Sequence, residues 1–225
     1  MIKVIQPGLQ TTVQDIGRIG YYEVGMPPSG AMDKYALKVS NLLVGNDENA
    51  AGLEITYMGP KLKFENDAVI AVTGGEIPPK INDEPVGMWE TISVSAGDVL
   101  SFDFVKGGVR SYLAVQGGID VPTIMGSRST YTLIGIGGLE GRALQENDVL
   151  EIGSEKNVDV SPGRKIDDEL IPKYSKDHEI RVVMGLCSYR LTDESKEKFL
   201  NVEWKVTPDA NRVGYRFRGE KMDFV

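Results

Sequence analysis

From Val109 to Gln116 the chain alternates strictly, with Val109, Ser111, Leu113 and Val115 on one side and Arg110, Tyr112, Ala114 and Gln116 on the other. The first set reads as core. The second sets a guanidinium, a phenol and an amide in a row, as a strand lining a cleft would. Gly117 and Gly118 end the strand with backbone that tolerates a turn or bulge. Other short β-type runs fill the region from Gly52 to Ile152: Leu53 to Tyr57, Lys61 to Phe64, Ala68 to Thr73, Thr91 to Val94, Val99 to Val105 and Val149 to Ile152. Turn signals at Gly59-Pro60, Glu65-Asn66-Asp67, Asn82-Asp83 and Ala96-Gly97-Asp98 separate them at the spacing of a sandwich or barrel. Before this region, Ile2 to Gln6, Leu9 to Val13 and Tyr21 to Val24 also read as strands.

The period changes in MPPSGAMDKYALKVSNLLVGN, where Ala36, Val39, Leu42 and Leu43 recur at helical spacing. Ser29 or Asp33 can cap this helix and Gly45 ends it, so the main helix is expected near Asp33 to Val44. A carboxylate at Asp33 is favoured by the exposed amides and the helix dipole, which makes capping its default role. After Gly153 the pattern fades into a charged stretch with two prolines, read as a linker over 154–178. A second unit follows, with strands at Glu179 to Gly185, Val202 to Val206 and Val213 to Phe217 and a helix near Asp193 to Leu200 capped by Thr192. So few residues make a poor independent core. The expected organisation is therefore a β-domain over 1–153, the linker, and over 179–225 the start of a second β unit, truncated.

Composition narrows the chemistry. With 225 residues, 41% of them hydrophobic, the chain can build real cores. A formal net charge of −8 and no cluster of Lys and Arg argue against a nucleic-acid surface. No apolar run has the length of a membrane span, and MIKVIQPGLQ lacks the layout of a signal peptide, so a cytoplasmic protein is expected. The single cysteine, Cys187, and the single histidine, His178, leave no internal disulfide, histidine metal site or Ser/His triad to build. No metal site is read from the sequence. Chemistry must rest on carboxylates, hydroxyls, amides, arginines and lysines, or on a second chain.

Two stretches gather such groups. Gln14-Asp15-Ile16-Gly17-Arg18 brings an amide, a carboxylate and a guanidinium to a glycine; Asp15 and Arg18 either pair across a turn or hold a ligand. Gly126-Ser127-Arg128-Ser129-Thr130 places three hydroxyls, a planar cation and backbone amides where a carboxylate or phosphate could sit. The alternative is a polar loop whose hydroxyls satisfy its own backbone. Two glycine-rich segments fail as nucleotide motifs. Gly135 to Gly141 has the wrong spacing and opens no helix, and Thr73-Gly74-Gly75-Glu76 lacks the lysine of a P-loop. Any ATP site would use a different architecture.

Several long motifs in order, TTVQDIGRIGYYEVGMPPSGAMD at 11–33, NLLVGN at 41–46, LEITYMGPKL at 53–62, RSYLAVQGGIDVP at 110–122, GSRST at 126–130, GGLEGRALQENDVLEIG at 137–153 and NRVGYRFRG at 211–219, resemble one family. It is the allophanate hydrolase subunit 2 family, which includes the C component of 5-oxoprolinase and the carboxyltransferase part of urea carboxylase. The resemblance implies a mainly β, cyclophilin-like antiparallel β-barrel with few short helices. It also implies a partner like allophanate hydrolase subunit 1 or the B component of 5-oxoprolinase, and ATP, with Mg, consumed in opening the lactam of 5-oxoproline. Family members usually continue past the NRVGYR region into another glycine-rich β segment, which is absent here.

Under that reading Arg18, Arg110 and Arg128 are the candidate carboxylate and phosphate contacts, oriented by Gln14, Gln116, Ser127, Ser129 and Thr130. Asp15 and Asp33 are the candidate base or metal carboxylates. Arg110, Gln116 and Arg128 are expected to share a cleft with the Gln14 to Arg18 turn. Two other readings stand beside this one: a binding protein that antagonises a sensor-kinase inhibitor, and a biotin-dependent carboxyltransferase. The second would need its carrier on another chain, because no Met-Lys-Met attachment site occurs.

Overall fold

The strand at the heart of the pattern, β10 (Gly107–Val115), is the middle of a five-stranded sheet. It lies between β3 (Gly52–Thr56) and β5 (Ala68–Glu76), with β2 (Gln10–Gln14) outside β3 and β8 (Thr91–Val94) outside β5. A seven-stranded sheet runs in the order β11 (Ile119–Asp120), β12 (Val149–Ile152), β1 (Ile2–Gln6), β4 (Lys61–Phe64), β9 (Val99–Phe102), β6 (Pro79–Ile81), β7 (Glu84–Pro85). Neighbouring strands pair antiparallel in both sheets. The computed structural model describes residues 1–154, 160–175, 177–212 and 214–225. It divides into a unit from Met1 to Ser175 and one from Lys176 to Val225.

The inner faces of the two sheets make one core. Val13, Leu53, Ile55, Ile70, Val72, Leu113 and Val115 from the five-stranded sheet meet Ile2, Val4, Leu62, Phe64, Leu100 and Leu150 from the other. Alternation along β10 is as the sequence predicts, but its second face lines no open cleft. Helix α1 (Lys34–Leu43) covers it, packing Ala36 and Leu37 against Tyr112 and Trp89, and Leu43 against Ala71 and Ala114. Ala114 keeps that approach close, and Thr73 Oγ1 ties the layers by donating to Ala36 O at 2.7 Å. Arg110, near the strand's beginning, keeps its side chain 21% exposed.

The expected barrel does not close. Each sheet ends in different strands, and irregular segments occupy the outer edges of the five-stranded sheet. Along β2, Thr130 N donates to Val13 O and Leu144 N to Thr11 O; beside β8, Thr91 N donates to Arg164 O and Gly163 N to Thr91 O. These loops satisfy backbone groups that closing strands would otherwise take.

The helix bounds and most strands fall where the sequence places them, and α1 is capped by Asp33 Oδ1, which accepts from Ala36 N at 2.9 Å. Tyr21 to Val24 does not form a strand. Tyr22–Val24 is a 3₁₀ turn, and Tyr22 and Val24 are exposed, so no partner sheet rewards extension. The β6–β7 hairpin escaped the pattern because its strands are short. Its turn residues Asn82 and Asp83 have φ of 50° and 69°, as a type I′ turn requires. The described part of the expected linker, 160–175, lies on α1: Ile166 and Ile171 pack beside Trp89 and Tyr112, and Tyr35 Oη donates to Leu170 O at 2.8 Å. Linker residues 155–159 and 176 lie outside the described residues.

In the second unit, helix α2 (Asp193–Asn201) forms as expected, with Thr192 Oγ1 accepting from Ser195 N at 3.1 Å. Beside it is a two-stranded ribbon of β13 (Lys205–Val206) and β14 (Phe217–Arg218). The expected strand from Val213 shrinks to β14, Val213 itself lying outside the described residues. Glu179 to Gly185 is not a strand: Ile180 and Val183 are exposed, so its β-branched content packs against no neighbouring sheet.

Leu113 is fully buried in the central strand, so Leu113→Ala should lower the unfolding free energy by about 2–5 kcal/mol. Urea denaturation would read this as a lower midpoint at unchanged slope; a midpoint within error of wild type would contradict the two-sheet core.

Candidate functional site

Two buried carboxylates organise the polar groups at the N-terminal end of α1. Asp15 follows β2 and is 5% exposed. Its Oδ1 accepts from Gly17 N at 2.7 Å, Ser127 Oγ at 2.7 Å and Ser129 Oγ at 2.5 Å, while Oδ2 accepts from Arg128 N at 2.6 Å. Ser129 Oγ in turn accepts from Asp15 N at 2.9 Å, and Ser127 Oγ from Ser129 N at 3.0 Å. Beside this group the Arg18 guanidinium is 1% exposed. It donates to Ser129 O at 2.6 Å, Ser29 Oγ at 3.3 Å and Ile124 O at 3.4 Å. Burial lowers its pKa from the ordinary guanidinium value, and the Asp15 charge opposes that.

The second carboxylate is Glu54, 2% exposed on the helix-facing side of β3. Its Oε2 accepts from Tyr112 Oη at 2.8 Å and Met32 N at 2.9 Å, and Oε1 stands 3.4 Å from Arg110 Nε. Tyr112 Oη also accepts from Asp33 N at 2.8 Å, while Asp33 Oδ2 accepts from Tyr174 Oη at 2.7 Å. Burial pushes the Tyr112 phenol far above its ordinary range, and the Glu54 charge adds to it. Burial, then the bond to Asp33, raises Tyr174 in the same direction.

Residues 28–33 stitch these groups together. Arg18 N donates to Pro28 O at 2.7 Å and Ala31 N to Asp15 O at 2.8 Å, after which Met32 N and Asp33 N go to Glu54 and Tyr112. Two glycines permit the crossing. Gly17 and Gly30 have φ of 104° and 84°, and a Cβ on either would meet a backbone oxygen, Pro28 O at 2.7 Å or Ile16 O at 2.6 Å. The glycine-rich 135–141 segment also finds its role here: Gly138 N donates to Arg128 O at 3.0 Å.

Of the residues singled out in the sequence, Gln14, Asp15, Arg18, Ser127, Ser129, Thr130 and the backbone of Arg128 come together in the first group. Gln14 Nε2 donates to Thr130 O at 3.2 Å and Thr12 Oγ1 at 3.0 Å, leaving Oε1 buried without a partner among the described residues. Thr130 Oγ1 donates to Val13 O at 2.9 Å. The Arg128 side chain turns away, its Nε donating to Val121 O at 2.9 Å and Nη2 lying 3.3 Å from Asp120 Oδ1. Asp33 and Arg110 belong to the Glu54 group. Gln116 sits at the other end of β10, its backbone N donating to Val69 O. Each hydroxyl proton of Ser127, Ser129 and Thr130 is committed within the protein. Among the described residues, no group of three or more His, Cys, Asp and Glu could hold a metal ion.

Sequence reasoning missed Glu54 and Tyr174. Glu54 left a signal: it is a carboxylate inside the apolar run LEIT, on the face opposite Leu53 and Ile55. Tyr174 left none, because it lies in the stretch read as linker.

The same geometry has known relatives. The family model for the carboxyltransferase domain, subdomain A and B, matches residues 24–224. Urea amidolyase from Lachancea kluyveri is 40% identical over 97% of this chain, which covers 13% of that protein. The C component of 5-oxoprolinase from Escherichia coli (strain K12) is 39% identical over 98% of this chain, which covers 69% of it. The crystal structure of Kluyveromyces lactis urea carboxylase superposes with a TM-score of 0.88 at 38% identity, over 99% of this chain and 21% of that one. The chain thus spans only about an eighth of the amidolyase. No helix among the described residues is long and apolar enough to cross a membrane.

Asp15→Asn removes the charge that four donors converge on and should cost about 1.5–3 kcal/mol, with faster proteolysis within 124–130. Wild-type protection of that loop in the variant would contradict the hub. Tyr112→Phe leaves Asp33 N without its acceptor and Glu54 Oε2 with one donor fewer, for about 1–3 kcal/mol. Because the folded-state pKa of Tyr112 is raised, its share of stability is intact below about pH 10 and lost as pH rises beyond. The Phe variant should therefore lose less stability than wild type across that alkaline range; equal losses in the two proteins would refute the assignment.

Proposed function

This chain belongs to the family of carboxyltransferase domains, subdomains A and B, and we propose that it is a subunit of an ATP-dependent 5-oxoprolinase. Acting with a partner subunit of related fold, it opens the lactam of 5-oxoproline to glutamate. The observation that carries this reading is the 39% identity to the C component of 5-oxoprolinase, over 98% of this chain and 69% of that protein. A lactam is a resonance-stabilised amide. Transfer of the γ-phosphoryl group of ATP to its oxygen weakens the C–N bond, and water then opens the ring, with release of ADP and phosphate.

The Gly126 to Thr130 loop does not fit a triphosphate. Its hydroxyl protons are committed, Arg18 is buried and donates from each nitrogen to a protein oxygen, and the Arg128 guanidinium pairs with Asp120. In this reading ATP and its Mg are held by the partner subunit, and Asp15 and Asp33 position backbone instead of exchanging protons. This chain contributes a rigid substrate surface at the N-terminal end of α1. A second reading, the carboxyltransferase subunit of a urea-carboxylase-like system, is favoured by the superposition on urea carboxylase. It needs a biotin carrier on another chain.

Mixing this chain with its candidate partner and measuring ADP release should show turnover only when both proteins and 5-oxoproline are present. Turnover by the single chain would overturn the two-subunit reading. Transfer of the carboxyl group from a carboxylated biotin carrier to urea, with no ADP release on 5-oxoproline, would favour the second.

A further inference from the structure

Three arginines could contact an anion, and their surroundings separate them. Arg18 is buried with each of its three nitrogens donating to a protein oxygen, and Arg128 is pinned on the surface by Val121 O and Asp120. Arg110 differs. Its Nε is buried without a hydrogen-bond partner, although its side chain is 21% exposed, and its one carboxylate neighbour, Glu54, already takes Tyr112 Oη and Met32 N. Among the described residues its guanidinium makes no hydrogen bond at all. A partly shielded fork with unused donors is suited to a planar anion, because it offers two parallel N–H groups in a low-dielectric setting.

The neighbourhood selects the kind of anion. Arg110 pairs across the sheet with Thr56, and Thr56 with Gln10, at one end of the five-stranded sheet. Exposed Leu9, Tyr57, Met58 and Phe104 rim this end, tied to it by Leu9 N to Met58 O, Tyr57 N to Val109 O and the bridge between Met58 and Phe104. One guanidinium beside Glu54 disfavours a dianion or polyphosphate, which needs several donors and no nearby negative charge. That carboxylate is itself quenched by its donors. A single carboxylate on a small, partly apolar molecule fits.

We propose that Arg110 binds the carboxylate of the substrate at this end of the five-stranded sheet and thereby selects a carboxylated lactam over a neutral amide. This rests on the 5-oxoprolinase reading, since urea carries no carboxylate for such a site to recognise.

The test compares L-5-oxoproline with 2-pyrrolidinone, the same ring without its carboxylate, by titration calorimetry on the full chain with its partner subunit. Wild type should favour 5-oxoproline by roughly tenfold or more, the worth of a charge-assisted hydrogen bond, and the preference should shrink as salt is raised. Arg110→Gln should bring the ratio close to one, and Arg110→Lys should retain part of it, with thermal unfolding confirming that each variant is folded. A wild-type ratio near one, or an unchanged ratio in a folded Arg110→Gln protein, overturns the proposal. A wild-type complex that shows the preference but does not turn over 5-oxoproline removes the 5-oxoprolinase reading and leaves the carboxylate site standing.

Discussion

A carboxylate removed from water must find donors, and this structure answers that demand twice within one short stretch of chain. Asp15 draws in the 127–129 loop, and Glu54 draws in Tyr112 and the backbone of Met32. Residues 28–33 run between the two and give an amide or a carbonyl to nearly every element they pass. The position of α1 follows: its cap, Asp33, is fixed by its backbone on Tyr112 before its side chain turns to Ala36. Either carboxylate, left alone, would be among the costliest groups in the molecule; paired, they set where the helix begins and where the loop lies.

Much of this was legible in the sequence because it rests on local rules. Alternation marked β10 and its flanking strands, and helical spacing with an Asp cap and a following glycine marked α1. What the pattern could not say was what covers each face. A strand face bearing Arg, Tyr, Ala and Gln reads as a wet cleft, yet Tyr112 and Ala114 lie under a helix that comes some seventy residues earlier, a pairing no local period encodes. The serine-rich loop shows the same limit. Its hydroxyls suggest an anion site, and only the fold shows that the anion they meet is Asp15.

The three arginines, equal on paper, are therefore unequal in space. Arg18 works as a cross-brace, Arg128 as a surface ion pair, and Arg110 is the one of the three with a buried Nε that meets no hydrogen-bond acceptor among the described residues. Counting cations in a motif could not have ranked them. Their hydrogen-bond partners, which only the fold supplies, set them apart.

The span of the Asp15 contacts also bears on how the chain is made. Three of its four donors lie 112 to 114 positions downstream, and the Tyr174 hydroxyl that meets Asp33 lies 141 positions beyond it. During synthesis Asp15 and Asp33 therefore leave the ribosome with only one near donor each, Gly17 N and Ala36 N, and their other donors arrive with the distant loops. Contacts this far apart close large loops, so they form late and all together. Residues that are made early in this unit are among the last to acquire their native surroundings.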